Sequence, residues 1–249
     1  MSSFSREYRE HLATEHNLGR FSEYLREIVY GGNDGIVTTF AVVAGFAGAG
    51  AEGAAAVGTI AVLLFGLANL FADATSMALG AFLSGRSQAD IYRATRAREL
   101  QEIHQNPELE RAELLEILRT KNVPEADIRG FADLYARNPE LLADFMMQNE
   151  IGMLDPRDGN PALDGLATFL SFLFFGAIPL IPYFLWAPDR ATFHWSVFAT
   201  FSALVLLGLL RWNVTAETVK RCVAETVAVG GICAIIAYAV GMAVAGYSG

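Results

Sequence analysis

Cysteine, histidine and positive charge are all scarce in this sequence. Its 249 residues include two cysteines, four histidines and 18 lysines or arginines, against 27 aspartates or glutamates. Cys222 and Cys233 both lie in one apolar run, so a disulfide framework is excluded and we expect both to be small buried residues. The acidic excess argues against a nucleic-acid partner, because phosphate binding needs a basic surface.

Charge of either sign is almost missing from long stretches of the chain. Hydrophobic residues make up 53% and charged residues 18%, which is too apolar for an ordinary cytosolic enzyme. A bilayer core of about 30 Å requires roughly 20 apolar helical residues, and five segments satisfy this requirement. They lie near residues 28–50, 54–83, 163–187, 192–212 and 222–247. The sequence therefore predicts an all-α integral membrane protein with five transmembrane helices.

The loops between these segments predict the orientation, because Lys and Arg accumulate on the cytosolic side. Four basic residues precede the first segment and ten lie in residues 86–160. Three more, Arg211, Lys220 and Arg221, lie at the connection between the fourth and fifth segments. The other two loops and the C-terminal tail hold one in total. We therefore expect a cytosolic N-terminus without a cleavable signal peptide, and an external C-terminus. The predicted parts are a cytosolic arm over 1–27, transmembrane helices over 28–87 and 161–249, and a cytosolic insert over 88–160.

The insert reads as a set of amphipathic helices. Asn106-Pro107 and Asn138-Pro139 each resemble an N-cap followed by a first-turn proline, and Val123-Pro124 begins a further helix. Apolar residues recur with a helical period along these segments. They include Leu100, Ile103, Leu109, Leu114, Leu115, Leu118, Ile128, Phe131, Leu134, Tyr135, Leu142 and Phe145.

Two pairs of glutamates in the insert share the same internal spacing. They are Glu99 with Glu102 and Glu110 with Glu113, and Glu116 extends the second pair. The pairs are 11 residues apart, about 16 Å along an unbroken helix, which is too far for one ion with oxygen ligands at about 2.0–2.6 Å. Either each pair binds separately, or Asn106-Pro107 folds the chain back, or a partner subunit completes the site. A solvated acidic face is the simpler alternative.

Carboxylates also occur inside the predicted membrane segments, where charge is costly and therefore usually functional. Glu27 and Asp34 are two helical turns apart on one face of the first segment, and Asp73 and Met77 are one turn apart in the second. Carboxylates can replace part of the hydration shell of a divalent cation, and a thioether favours a softer transition metal. These four residues are candidates for a cation path.

Small residues near these positions permit close helix packing. Gly31, Gly32 and Gly35 allow either close approach of a neighbouring helix or local unwinding that exposes carbonyls to an ion. A second group has the spacing typical of membrane helix interfaces and predicts either a symmetric dimer or packing within one chain. Its members are Gly45, Gly48, Gly241 and Ala245.

Together these motifs resemble the vacuolar iron transporters and their bacterial relatives. The resemblance depends on residues 26–35, REIVYGGNDG, on residues 72–80, ADATSMALG, and on Ser87-Gln88-Ala89-Asp90. It extends over essentially the whole chain, including the five segments and the insert after the second.

The resemblance implies a dimeric transporter that moves Fe²⁺, and often Mn²⁺, out of the cytosol in exchange for protons. The implied membrane-path residues are Asp34, Met77 and the earlier acid Glu27. The implied cytosolic metal ligands are Glu99, Glu102, Glu110, Glu113, Met146 and Glu150. Met147 stands where the family usually has an acid, so one oxygen ligand is replaced by sulfur.

We therefore expect the insert to collect Fe²⁺ and pass it to a path formed by Asp34, Met77, Glu27 and Asp73, where protonation releases it. Zn²⁺ and Co²⁺ are alternative cargoes, and no organic cofactor is implied. The short loops favour a bacterial inner membrane. A channel for another cation, or a membrane-anchored di-iron storage or ferroxidase-like protein, is the alternative. The di-iron protein is disfavoured because di-iron bundles use Glu-x-x-His motifs, which this sequence lacks.

Overall fold

The computed structural model describes residues 24–48, 55–156, 159–186, 190–215 and 217–248. Over these ranges every regular element is helical. The α-helices are α1 (Leu25–Gly48), α2 (Ala55–Gln105), α3 (Pro107–Thr120), α4 (Glu125–Ala136), α5 (Pro139–Asn149), α6 (Pro161–Ala177), α7 (Ile181–Leu185), α8 (Arg190–Val214) and α9 (Val219–Ser248). The described residues form two compact units, one from those within 1–82 and 162–249 and the other from those within 83–161. The second unit overlaps the predicted insert, 88–160.

Four candidate membrane spans occur among the described residues. They lie within Ile60–Gln105, Pro161–Leu185, Ala191–Val214 and Val219–Val244. The expectation of an all-helical integral membrane protein is confirmed at this level. The predicted first segment forms α1 but is not among the four, because Asn33 and Asp34 lower its mean hydropathy.

Helix α2 is much longer than a membrane span. Its 51 residues extend about 76 Å at 1.5 Å per residue, against a hydrocarbon core of about 30 Å. The helix continues without a break past Ser87 and Asp90 to Gln105. Its apolar half belongs to the first compact unit, and its polar half from Leu83 onward belongs to the second.

The third predicted segment is interrupted at Pro179 and Pro182, because proline removes a backbone donor and disrupts a helix. A 3₁₀ turn over Ile178–Leu180 separates α6 from α7. The Ser196 hydroxyl of α8 donates a 2.6 Å hydrogen bond to the Pro179 carbonyl. The neighbouring helix thus satisfies a backbone group at the break, as membrane burial requires.

Glycines on α1 allow neighbouring helices to approach its backbone closely. A Cβ atom built on Gly31 would lie 2.8 Å from the Thr168 carbonyl oxygen of α6, and one on Gly35 would lie 2.5 Å from that of Phe172. A Cβ on Gly241 of α9 would lie 2.7 Å from the Gly45 carbonyl oxygen. Close packing within one chain is therefore the observed use of these glycines. Since α1 is one continuous helix, the other alternative offered by the sequence, local unwinding, is not observed.

Replacement of Gly35 by alanine is expected to destabilise the membrane unit by about 1–3 kcal/mol, the usual cost of overpacking. The new methyl group would meet backbone atoms of Phe172 and Gly176, which cannot rotate away. Gly80→Ala is the matched control, because a Cβ there meets nothing within 4 Å. Thermal unfolding of the detergent-solubilised protein measures both, and equal melting temperatures for the two variants would contradict the prediction.

The second compact unit has its own apolar core, formed by α3, α4, α5 and the end of α2. The buried members are Ile103, Leu114, Leu118, Ile128, Ala132, Leu142, Ala143 and Met146. The sequence prediction of an apolar face is wrong for Leu109, Phe131 and Leu134, which are exposed. Asn106 and Asn138 precede α3 and α5 as predicted, but neither side chain caps its helix.

Candidate metal-binding sites

Two glutamates predicted as metal ligands lie together in the core of the second unit. Helix α3 follows α2 after Asn106, and the apolar residues of both helices share one core, so that Glu110 lies within electrostatic range of Glu99. Only 6% of Glu99 and 3% of Glu110 is exposed. Glu99 Oε1 and Glu110 Oε2 are buried without a hydrogen-bond partner among the described residues. Of the alternatives for the two glutamate pairs, the structure has the fold-back.

Three further carboxylates lie close enough to interact with this pair electrostatically. Burial, together with repulsion from the charges of Glu99, Glu113 and Glu150, raises the pKa of Glu110 to about 7. Burial also raises the pKa of Glu150, with added repulsion from Glu113, Glu99 and Glu102. Burial is likewise the largest cause of a raised pKa at Glu99. The fold therefore concentrates negative charge, at a cost that a bound cation would remove.

Cations of the chain do little to neutralise this cluster. Arg98 Nε lies 3.9 Å from Glu102 Oε1, which is a weak and exposed contact. No ion pair is formed with Glu99, Glu110, Glu113 or Glu150 within the described residues. No three Asp, Glu, His or Cys side chains there converge as ligands on one point. Coordination would thus require the carboxylates to rotate toward the ion.

The other predicted residues of the insert have different surroundings. Glu116 is exposed and its Oε2 lies 3.4 Å from Arg119 Nη1, so it forms an ion pair within α3. Met146 is fully buried in the apolar core, and Met147 is fully buried as well. His104 is exposed, as expected, with Nδ1 2.5 Å from the Leu100 carbonyl oxygen.

Two helices of the membrane unit carry the predicted path residues. Asp34 of α1 and Asp73 of α2 are half-buried and close enough for their charges to interact. Met77 packs against the apolar cluster that contains Phe172, which also contacts the backbone at Gly35. The structure thus brings Asp34, Asp73 and the neighbourhood of Met77 together. Glu27 is half-buried, two helical turns before Asp34.

Sequence reasoning missed a polar partner in this region. The Asn69 side chain donates a 2.7 Å hydrogen bond from Nδ2 to Asp73 Oδ2. The two residues are one helical turn apart, and an amide at that spacing in an apolar segment could have indicated the contact. This bond fixes one oxygen of Asp73.

Comparison with known proteins agrees with the resemblance seen in the sequence. The model of the VIT family matches residues 25–242. Vacuolar iron transporter 1 of Oryza sativa subsp. japonica is 32% identical over 89% of this chain and 86% of its own length. Vacuolar iron transporter 1 of Eucalyptus grandis is 31% identical over 96% of this chain and 94% of its own length. Vacuolar iron transporter 1 of Arabidopsis thaliana is 33% identical over 87% of this chain and 84% of its own length.

Proposed function

Because the chain belongs to the VIT family, we propose that it is a proton-coupled antiporter that exports Fe²⁺ from the cytosol, with Mn²⁺ as a second substrate. The relatives are named as iron transporters and not as enzymes. The chain is accordingly a transporter of divalent metal rather than an enzyme.

The carboxylate cluster of the insert is the single observation that carries the proposal. Glu99 and Glu110 hold two buried oxygens without partners, and Glu102, Glu113 and Glu150 add charge around them. Buried carboxylates without partners are costly, so their presence favours a role in binding a cation. We assign to this cluster the collection of metal from the cytosol, with Met146 and Met147 supplying the wall beside it and a thioether where a side chain can turn toward the ion.

Proton exchange is proposed to occur in the membrane unit. Asp34 and Asp73 lie on adjacent helices within charge range of each other, and Met77 and Glu27 extend this group. A carboxylate oxygen cannot hold a proton and a metal ion at once, so a proton arriving from the far side would displace the cargo. Metal movement one way would then be coupled to proton movement the other way.

Five membrane crossings are proposed, with α1 as the first. Helix α1 packs against α6 at Gly35 and against α9 at Gly45, and Ile36 is buried with Leu204 and Leu207 of α8. A helix surrounded by other spanning helices faces protein rather than lipid, so its lower hydropathy is compatible with crossing the bilayer. The distribution of basic residues then supports a cytosolic N-terminus, a cytosolic insert and an external C-terminus.

A homodimer in a membrane that bounds the cytosol completes the proposal. The α1 and α9 glycines are used within the chain, whereas α2 exposes a row of large apolar side chains that a second copy could cover. This row consists of Ile60, Leu64, Phe71, Leu79 and Leu83. The short loops favour a bacterial inner membrane, although the names of the relatives describe those proteins as vacuolar.

Reconstitution into liposomes tests the proposed transport. Anaerobic Fe²⁺ is added outside vesicles that contain a metal-sensitive dye, with an acidic or a neutral lumen. We expect faster Fe²⁺ uptake with the acidic lumen, accompanied by proton efflux and reduced by competing Mn²⁺. An Fe²⁺ uptake rate that is the same with the acidic and the neutral lumen would reject antiport. An Fe²⁺ uptake rate no higher than that of protein-free vesicles would reject transport altogether.

A further inference from the structure

Arg96 of α2 forms two ion pairs with residues of α5. Its Nε atom lies 2.6 Å from Asp144 Oδ1, and one terminal nitrogen lies 2.7 Å from Glu140 Oε2. The same terminal nitrogen also approaches the Glu140 carbonyl oxygen at 3.4 Å. Only 21% of the Arg96 side chain is exposed. One guanidinium group thus joins two carboxylates that are one turn apart on α5, an arrangement stronger than an exposed surface pair.

This link stands next to the carboxylate cluster on both helices. On α2, Glu99 follows Arg96 by three residues, so the two side chains share a helix face. On α5, Met147 follows Asp144 by three residues, and Glu150 is the residue that ends the helix. The contact between Arg96 and Asp144 therefore adds to the apolar core in fixing where Glu150 lies relative to Glu99.

The charge of Arg96 also compensates two carboxylates of α5, those of Glu140 and Asp144. Truncating one partner of an ion pair leaves the other partner's charge unsatisfied. Loss of Arg96 would therefore leave two uncompensated carboxylates on α5 and remove the ion pairs that join this helix to α2.

We propose that Arg96 is a positioning residue that holds α5 against α2 so that Glu150 meets the Glu99–Glu110 pair around one divalent cation. It does not touch the cation itself. This inference rests on the proposed function, because it assumes that the carboxylate cluster binds a divalent metal.

Mn²⁺ titration of the full-length protein in detergent tests the inference. For Arg96→Met we expect about tenfold weaker Mn²⁺ binding, a loss of ~1.4 kcal/mol. Arg93→Met is the matched control, because Arg93 pairs with Asp90 inside α2 and makes no ion pair to α5 within the described residues. Its affinity should stay within about twofold of the wild type, since exposed pairs contribute little.

A charge swap separates positioning from simple loss of stability. The double variant Arg96→Glu with Asp144→Arg rebuilds the pair with reversed polarity and should recover most of the lost affinity. Wild-type affinity in Arg96→Met, or a double variant no better than that single variant, would overturn the inference. Wild-type protein that binds no Mn²⁺ would instead reject the cytosolic metal site of the proposed function, so the two failures are distinguishable.

Discussion

Replacement of Asp34 by alanine is expected to reduce Fe²⁺ flux into proteoliposomes by on the order of tenfold or more. A loss of ~1.4 kcal/mol suffices for a tenfold change, and unit charges 4 Å apart attract by about 4 kcal/mol at an effective dielectric of 20. Asp34 is half-buried in the membrane unit within charge range of Asp73, so its loss removes one of the two carboxylates that would attract the cation. Dye-based flux assays with an acidic lumen measure the effect.

The control for Asp34→Ala is Thr75→Val on α2. Thr75 lies between Asp73 and Met77 in sequence, and its hydroxyl donates to the Phe71 carbonyl at 2.7 Å, so it is already occupied by the backbone. Valine has nearly the same size, and flux should stay close to that of the wild type. Unchanged flux in Asp34→Ala, or in Met77→Ala, would show that the cation takes another route.

The membrane candidates could be found from the sequence because charge inside an apolar segment is conspicuous. Asp34 and Asp73 interrupt long uncharged runs, and helical spacing then places Met77 one turn from Asp73. Asn69 was missed because an amide is uncharged and does not interrupt such a run. Asn33 and Asp34 lower the mean hydropathy of α1. Only the close packing of other helices at Gly35 and Gly45 indicates how such a helix fits among membrane-spanning helices.

The arrangement of the insert could be predicted only in part. Asn106-Pro107 marks where α2 ends, but the direction of α3 depends on burying Leu114 and Leu118 with Ile128 of a later helix. Local periodicity contains no information on that long-range contact, so three arrangements of the glutamate pairs remained open. The same periodicity predicted a wider buried face than the structure has, since short helices cover too little surface to bury Leu109.

Arg96 illustrates a different limit of sequence reasoning. Its partners Glu140 and Asp144 are 44 and 48 residues away, and no spacing rule within one helix connects them. An arginine three residues before a glutamate reads as an ordinary surface pair. The tertiary fold alone shows that its charge is directed at α5.

Mn²⁺ affinity of the full-length protein is expected to rise about tenfold or more between pH 6 and pH 8. A carboxyl group with a pKa of about 7, as at Glu110, is roughly one-tenth ionised at pH 6 and nine-tenths ionised at pH 8. Metal binds the ionised form, so affinity is lost as the pH falls through the folded-state pKa. Glu99 and Glu150 have pKa values raised in the same direction, which steepens the dependence.

The double variant Glu99→Gln with Glu110→Gln is expected to weaken Mn²⁺ binding by roughly two orders of magnitude, ~2.7 kcal/mol, and to flatten its pH dependence. Glutamine keeps the size of the side chain but removes the negative charge that titrates. Glu108→Gln is the control, because Glu108 is an exposed residue of the same helix and its loss should change the affinity by less than about twofold. A double variant that kept the wild-type pH dependence would place the titrating group elsewhere. An equal effect of Glu108→Gln would show that Mn²⁺ responds to the general surface charge and not to this cluster.

If the expected results hold, acidification of the cytosol releases metal from the insert before the metal reaches the membrane path. Protons on the far side then drive export, whereas protons on the cytosolic side oppose loading.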